Sequence, residues 1–536
     1  MKQLIRNACA VSLAIIVITT SIVNNQTAWS DSSDPANSQL EAWDHFTPYQ
    51  QSLHDQLLPP SEVAFDEEGA VNFFRSKGTR SSTYLAVGLL CRNQGMDREN
   101  AHAVLDVILS QQWNEPGSQR HGVWRTSLAG EKLDENWREF IGIALIMAQE
   151  YFGERIDEDL NQRIDLALLL AAEGAAARNV GADYTNIALM SAFLLAHVGY
   201  NEQRKDFIEQ GREKANAIVS LFDKHGTFTE YNSPTYYGTD LLALGVWRKL
   251  GPDDLFRQHG AAMEAAIWRD TAAFYHAGLR NMVGPYSRAY GMDMTQYVAL
   301  TGICIAIALD GDPSSPVPSD IMNAPKAFEW NYAPLFCLLG AVVPEESQAD
   351  FHEFTEPRQL RRTVSHLGVE RLIEARLENE WMIGAVINLN RRWEQHCQGT
   401  IHWRANDAGR IGWLLIHGEN GADVTIEDLG SDANGVALRA TLPSPDSDFP
   451  FKIRVAVPGL RSDVLDDENG VWRLPGIVLH VIPHGLDGAE PEIRPAPSGS
   501  PAVNVFDISW PIPADSKPHE IGITIERHES ANEMTP

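Results

Sequence analysis

From about Glu62 to Leu339, apolar residues recur at spacings of three and four, as at Phe140, Ile143, Ala144 and Met147. That spacing lines one face of a helix. It predicts successive amphipathic helices over Ser82–Arg92, Arg98–Gln112, Asn136–Tyr151, Leu160–Ala172, Asn186–His197, Asp206–Phe222, Asp240–Lys249, Leu255–His276 and Met294–Leu309. No fixed period runs through them, so a solenoid of a named repeat type is not indicated. Helix pairs joined by short breaks over so long a stretch predict an α/α toroid, with an inner ring of helices lining a central cleft.

The pattern changes near Pro344–Pro357, which is rich in charge and loop residues. Strand-like runs follow at Val369–Leu377, Trp381–Asn388, Gly399–Arg404, Ile411–His417, Val436–Leu442, Phe451–Val457 and Ile477–Ile482. Residues 435–442 alternate apolar and polar, and Asn469-Gly470 is a hairpin signal. The economical reading is α+β, with a toroid over 31–350 followed by an antiparallel β-sandwich over 351–536.

The first thirty residues read as an export signal. Lys2 and Arg6 precede the apolar run Ala8–Val23, and Ala28-Trp29-Ser30 supplies small residues where a signal peptidase reads. The expectation is cleavage near Ser30–Asp31 and a secreted or periplasmic protein with no membrane segment afterwards. The alternative is an uncleaved anchor.

Hydrophobic residues make up 44% and charged residues 21%, a globular balance. Cys91, Cys304, Cys337 and Cys397 are widely spaced, without CxxC or zinc-ribbon spacing; three of them sit in apolar stretches and read as core residues, and a disulfide stays open in an oxidising compartment. The net charge of −29 opposes nucleic acid and anionic membranes as partners. It opposes an acidic polysaccharide too, so a polyanion would need a local basic cluster.

There is no GxSxG, HExxH, Walker or dinucleotide motif, and the seventeen histidines show no metal-ligand spacing. No metal and no cofactor are expected. Polar and aromatic groups crowd instead where helices begin. In residues 134–142, Asp134 or Asn136 can cap a helix, while Trp137 can stack on a sugar. In residues 183–189, Asn186 sits at a helix start, where capping is again the plain alternative.

The most informative stretch is residues 223–238, where Tyr231, Tyr236 and Tyr237 surround Pro234 beside Glu230 and Asn232. Core packing explains one such tyrosine better than three, since each buried hydroxyl needs a partner. Residues 280–290 add Arg280, Arg288, Tyr286 and Tyr290. Residues 391–404 add Arg391, Arg392, His396 and His402, the densest basic and aromatic stretch of an acidic chain, or else a solvated hairpin.

On these residues the chain resembles the heparinase II/III-like lyases and their relatives, including toroid alginate lyases and dermatan sulfate epimerase. The resemblance implies a toroid joined to an antiparallel β domain over nearly the whole chain. Residues 226–238 look like the family's segment ending in a catalytic tyrosine followed by glycine, which makes Tyr237 that tyrosine and Tyr236 its competitor. Asn186 resembles the asparagine that helps neutralise a uronate carboxylate. Relatives often carry histidine beside it, where this chain has Ile187. His396 resembles the β-domain histidine, with His402 as its rival.

The implied reaction is β-elimination on a uronic-acid polysaccharide, in which the C5 proton is abstracted and the 4-linked oxygen leaves. Asn186, with an arginine or His396, would clamp the carboxylate. Tyr237 would act as base, acid or both, with nearby cations lowering its pKa for base work. Trp137, Glu230, Arg280, Arg288, Tyr290, His402, Arg391 and Arg392 would bind substrate. Three alternatives stay open: a glycoside hydrolase using paired carboxylates among Asp134, Asp183, Glu230 and Asp240, a uronate C5-epimerase, and a non-catalytic glycan binder.

Overall fold

The computed structural model describes residues 42–526 except 367–368, 388–395, 407–408, 419–424, 430–436, 443–450, 466–469, 485–489, 498–502 and 511–518. The expected signal segment, Arg391, Arg392 and Asn469 lie outside the described residues.

The helices run α1 (Pro48–Leu57), α2 (Glu67–Lys77), α3 (Thr79–Arg92), α4 (Asp97–Leu109), α5 (Trp137–Phe152), α6 (Glu158–Arg178) and α7 (Thr185–Asn201). They continue as α8 (Lys205–Asp223), α9 (Tyr236–Leu250), α10 (Asp254–Phe274), α11 (Leu300–Ala308), α12 (Ala333–Leu339) and α13 (Glu345–His352). α3, α5, α7 and α9 pack side by side, and α11 and α12 close the ring back onto α3. α2, α4, α6, α8 and α10 form a second layer outside it.

The sequence sorts the two layers. α7 is buried on every side from Thr185 to Gly199, as a helix that is apolar all round must be. α8 buries Phe207, Gly211, Lys214, Ala215, Ile218, Val219 and Phe222, a single stripe facing inward. Gly238 permits α9 to touch α11, because a Cβ there would overlap the backbone of Leu300 and Thr301. This double ring is an α/α toroid.

An antiparallel sheet follows, with β1 (Arg358–His366), β2 (Val369–Leu377), β3 (Trp381–Ile387), β4 (Gly399–Arg404), β5 (Ile411–Gly418), β6 (Thr425–Ile426) and β7 (Ala437–Leu442). It continues with β8 (Phe451–Val457), β9 (Val471–Leu474), β10 (Ile477–His484), β11 (Glu492–Pro495), β12 (Asn504–Ser509) and β13 (His519–Glu526). The path β9-β10-β13-β7-β6-β3-β4-β5-β8-β12-β11 folds over itself as a sandwich, and β2 and β1 extend from β3. Most pairings are antiparallel, and β3 with β6 is parallel.

β3 shows how sandwich and toroid join. Its Met382 and Val386 belong to the helical core, while Ile383, Ala385 and Ile387 belong to the sandwich core. A strand buried on both faces carries no polar alternation, and Met382–Ile387 has none. The described residues form one compact unit.

Two expectations need correcting. The helix predicted from Met294 begins at Leu300, because Asn281 binds the backbone on both sides: its Nδ2 donates to Met292 O (2.9 Å) and its Oδ1 accepts from Met294 N (3.1 Å). The helix predicted to end at His276 stops at Phe274, and Tyr275 and His276 pair with Met282 and Asn281 as a short ribbon. The turn between β9 and β10 is Pro475-Gly476, with Leu474 opposite Ile477. Proline suits the first corner and Gly476 takes φ +81° at the second. The four cysteines from Cys91 to Cys397 are buried thiols that form no disulfide.

Candidate active site

The N-terminal ends of α3, α5, α7 and α9 come together at one end of the ring. Asn136, just before α5, donates from Nδ2 to the Tyr184 hydroxyl just before α7 (3.0 Å). The backbone N–H of Asn186 in the first turn of α7 donates to Glu230 Oε2 (3.3 Å). Glu230 lies in the turn that leads into α9.

The segment between α10 and α11 supplies the opposing wall, and it is pinned from both sides. Asn232, at φ +43°, donates from Nδ2 to the carbonyls of Val283 and Pro285, each at 2.8 Å. Ser233 Oγ donates to Arg288 O (2.6 Å). From the sheet, Thr400 Oγ1 accepts from Gly284 N (3.1 Å), and Cys397 bridges to Tyr286. Gly384 is needed on β3, where any Cβ would overlap the Gly284 carbonyl.

Arg288 is thereby aimed at Glu230. Its Nη1 donates to Glu230 Oε1 (3.1 Å), and its Cζ lies 3.9 Å from the centre of the Tyr236 ring. The Tyr236 and Tyr290 hydroxyls stand 2.9 Å apart. Burial pushes the Tyr236 hydroxyl well above its ordinary pKa, helped by Tyr290 and opposed by Arg288, so it is neutral and keeps its proton. Burial also raises the Glu230 carboxyl, with Arg288 pulling the other way. Asp240, one turn into α9, is fully buried and rises further, first through burial and then through Glu230.

The expected residues divide accordingly. Asn186, Glu230, Tyr236, Arg288 and Tyr290 come together. Asn186 does not cap its helix, and its Oδ1 is buried with no hydrogen bond. His396 is one step away, with Nε2 3.3 Å from the hydroxyl of Tyr231, the residue after Glu230. Trp137 begins α5, and its Nε1 donates to Asp134 Oδ2 (3.2 Å).

Three other residues are placed differently. Tyr237 is wholly buried, and its hydroxyl is shared between Asp270 Oδ2 (2.5 Å) and Thr227 Oγ1 (2.7 Å), because the helix turns it away from Tyr236 into the core. Arg280 spends its guanidinium on the carbonyls of Ser315 and Val317, at 2.8–3.0 Å. His402 is buried against Met292 O (3.0 Å), and burial lowers its pKa to about 3. It is a neutral structural histidine.

Sequence reasoning missed Arg80 and Lys326. Arg80 lies 5.2–5.9 Å from the ring centres of Trp137, Phe140, Phe328 and Tyr332. Lys326 lies 4.3 Å from the Tyr290 ring. A cation two residues before Phe328 was the available signal. Among the described residues no group of His, Cys, Asp or Glu is arranged to hold a metal ion, and no helix is long and apolar enough to cross a membrane.

A family model described as "Domain of unknown function (DUF8769)" matches residues 61–341. The chain belongs to that family. The matched stretch of this DUF8769 member runs from α2 to α12 and holds Asn186, Glu230, Tyr236, Arg288 and Tyr290, while His396 lies beyond it. No curated protein matches the chain.

Solved structures similar to it include the chondroitin AC lyase of Streptomyces coelicolor A3 in complex with chondroitin sulphate, at 11% identity, TM-score 0.47, covering 94% of this chain and 81% of that one. A heparan sulfate lyase HepC mutant from Pedobacter heparinus is similar at 10% identity, TM-score 0.37, covering 92% and 88%. The endoglucanase CelQ of Clostridium thermocellum with cellotetraose is similar at 8% identity, TM-score 0.25, covering 88% and 85%.

Proposed function

We propose that this protein is an exported polysaccharide lyase that cleaves a uronic-acid polymer by β-elimination. The observation that carries the reading is the continuous contact from Asn186 through Glu230 and Arg288 to Tyr236 and Tyr290. It joins a carboxylate clamp to a proton donor. Arg288 and the Asn186 amide would hold the uronate carboxylate and stabilise the charge that develops on it once C5 loses its proton. His396 would take that proton. The C4–O4 bond then breaks, the electron pair forms C4=C5, and the neutral Tyr236 hydroxyl protonates O4.

The test is digestion of a panel of uronate polymers, read by ultraviolet absorbance and by reducing ends. A lyase yields the unsaturated product, a hydrolase yields reducing ends alone, and an epimerase changes the uronate composition without cutting. Reducing ends without ultraviolet absorbance would overturn the proposal.

A further inference from the structure

Large aromatic residues exposed on this protein include Tyr184, Tyr290 and Phe328, all at the end of the ring that holds the Tyr236 cluster. Two cations stand among them without an ion pair, and the buried Glu329 acts on both from beyond ion-pair distance. Arg80, in the first turn of α3, has four rings around its guanidinium. Among the described residues it makes no hydrogen bond and no ion pair. Glu329 and Asp134 act on its charge from beyond ion-pair distance. Lys326, exposed and at φ +64°, reaches over Tyr290 at 4.3 Å and Phe328 at 5.7 Å, again with no hydrogen bond or ion pair.

In a chain of net charge −29 this is unusual. Arg92, Arg138, Arg178, Arg248 and Arg288 each stand within 4.0 Å of a carboxylate oxygen. A guanidinium stacked on rings keeps its N–H edge for an acceptor lying in its own plane, the geometry of a carboxylate or sulfate. Both cations converge on Phe328. Lys326 is separated from the Tyr236 hydroxyl by the single ring of Tyr290.

We propose that Arg80 and Lys326 form an anion subsite that binds the acid group of the sugar adjoining the one that is cleaved, so that the polymer carries charge on that neighbour as well. The identification of the cleaved sugar rests on the lyase reading above. Two sources share this chemistry, the carboxylate of a second uronate and a sulfate ester on an alternating sugar.

The experiment measures binding of three polymers to the full-length Tyr236→Phe protein by affinity electrophoresis, and KM on the parent protein. Polyglucuronate carries a carboxylate on every sugar, chondroitin sulfate carries sulfate on the neighbour, and hyaluronan leaves the neighbour neutral. Lys326→Ala and Arg80→Met, the latter keeping a stem among the rings, should each weaken binding by roughly 10- to 100-fold on one of the first two polymers, the value of a charge-assisted hydrogen bond. Which of the two responds distinguishes carboxylate from sulfate. Binding of hyaluronan should change by less than about threefold, the level of a solvent-screened charge.

Equal losses on all three polymers, or no loss on any, would overturn the subsite. Lys326 is exposed, so Lys326→Ala carries the test if Arg80→Met fails to fold, and Lys326→Arg should restore binding. Selective loss of binding in a protein whose parent cleaves none of the polymers keeps the subsite and removes the lyase reading. Cleavage by the parent with unchanged binding in both variants does the reverse.

Discussion

The hydroxyl of Tyr236 lies 2.9 Å from that of Tyr290, whereas the hydroxyl of Tyr237, the next residue, is bonded to Asp270 and Thr227 in the core. Adjacent helix positions diverge by a large angle, so only one of the two can face the cluster. Tyr236→Phe should therefore lower kcat by roughly 10²–10⁴-fold, with stability changed by ~1 kcal/mol or less. Tyr237→Phe should keep turnover and cost about 1–3 kcal/mol, because it takes the hydroxyl donor from a buried carboxylate and leaves it the longer contact to Arg362 (3.6 Å). Steady-state kinetics and urea unfolding of the two variants separate these outcomes. The reverse pattern would return the catalytic role to Tyr237.

Arg288→Ala should destabilise the fold by about 2–4 kcal/mol, since it leaves the buried Glu230 carboxylate without its cation. Adding Glu230→Gln should recover much of that stability and none of the activity. A double-mutant cycle on unfolding and on kcat/KM checks both halves. Recovery of activity in the double variant would show that Arg288 serves Glu230 and never meets substrate.

His402 gives a pH dependence with a definite sign. Its folded pKa is lowered by burial to about 3, below the ordinary value of 6.5. The unfolded chain therefore binds the proton first, and the stability that neutral His402 contributes is present above pH 6.5. It is lost progressively as pH falls from 6.5 toward 3. His402→Gln should flatten the fall in urea midpoint over that window while leaving KM unchanged. A raised KM at constant stability would place His402 at the substrate.

Gly384→Ala should cost about 3 kcal/mol and reduce turnover together, because the new methyl displaces the Gly284 carbonyl and with it the segment that aims Arg288. Thermal melts and kcat are the readouts. Full activity in a folded Gly384→Ala protein would show that the sheet does not position Arg288.

Much of the fold is readable without coordinates, because it rests on local periodicity. The helical spacing around Phe140 to Met147 and the strands after residue 358 appear where a period of 3.6 or 2 is imposed by burying one face. The Asn186, Glu230, Tyr236, Arg288 and Tyr290 set is also visible in the sequence as polar and aromatic residues crowded at helix starts.

What the sequence alone leaves open is decided by contacts between distant segments. Tyr236 and Tyr237 look equivalent in sequence, and only the packing of α9 against α10 and α11 sends one to the surface and the other to Asp270. Arg280 and Arg288 belong to one basic segment, yet the left-handed turn at Arg280 gives its guanidinium to the carbonyls of Ser315 and Val317, while Ser233 and Asn232 steer Arg288 to Glu230. Arg80 gains its four rings from α5 and the segment before α12, far along the chain. Periodicity determines which face of an element is buried, because burial acts on each residue separately. Which side chains meet is set by tertiary packing, because a hydrogen bond or a stacked cation requires two distant segments at one fixed separation.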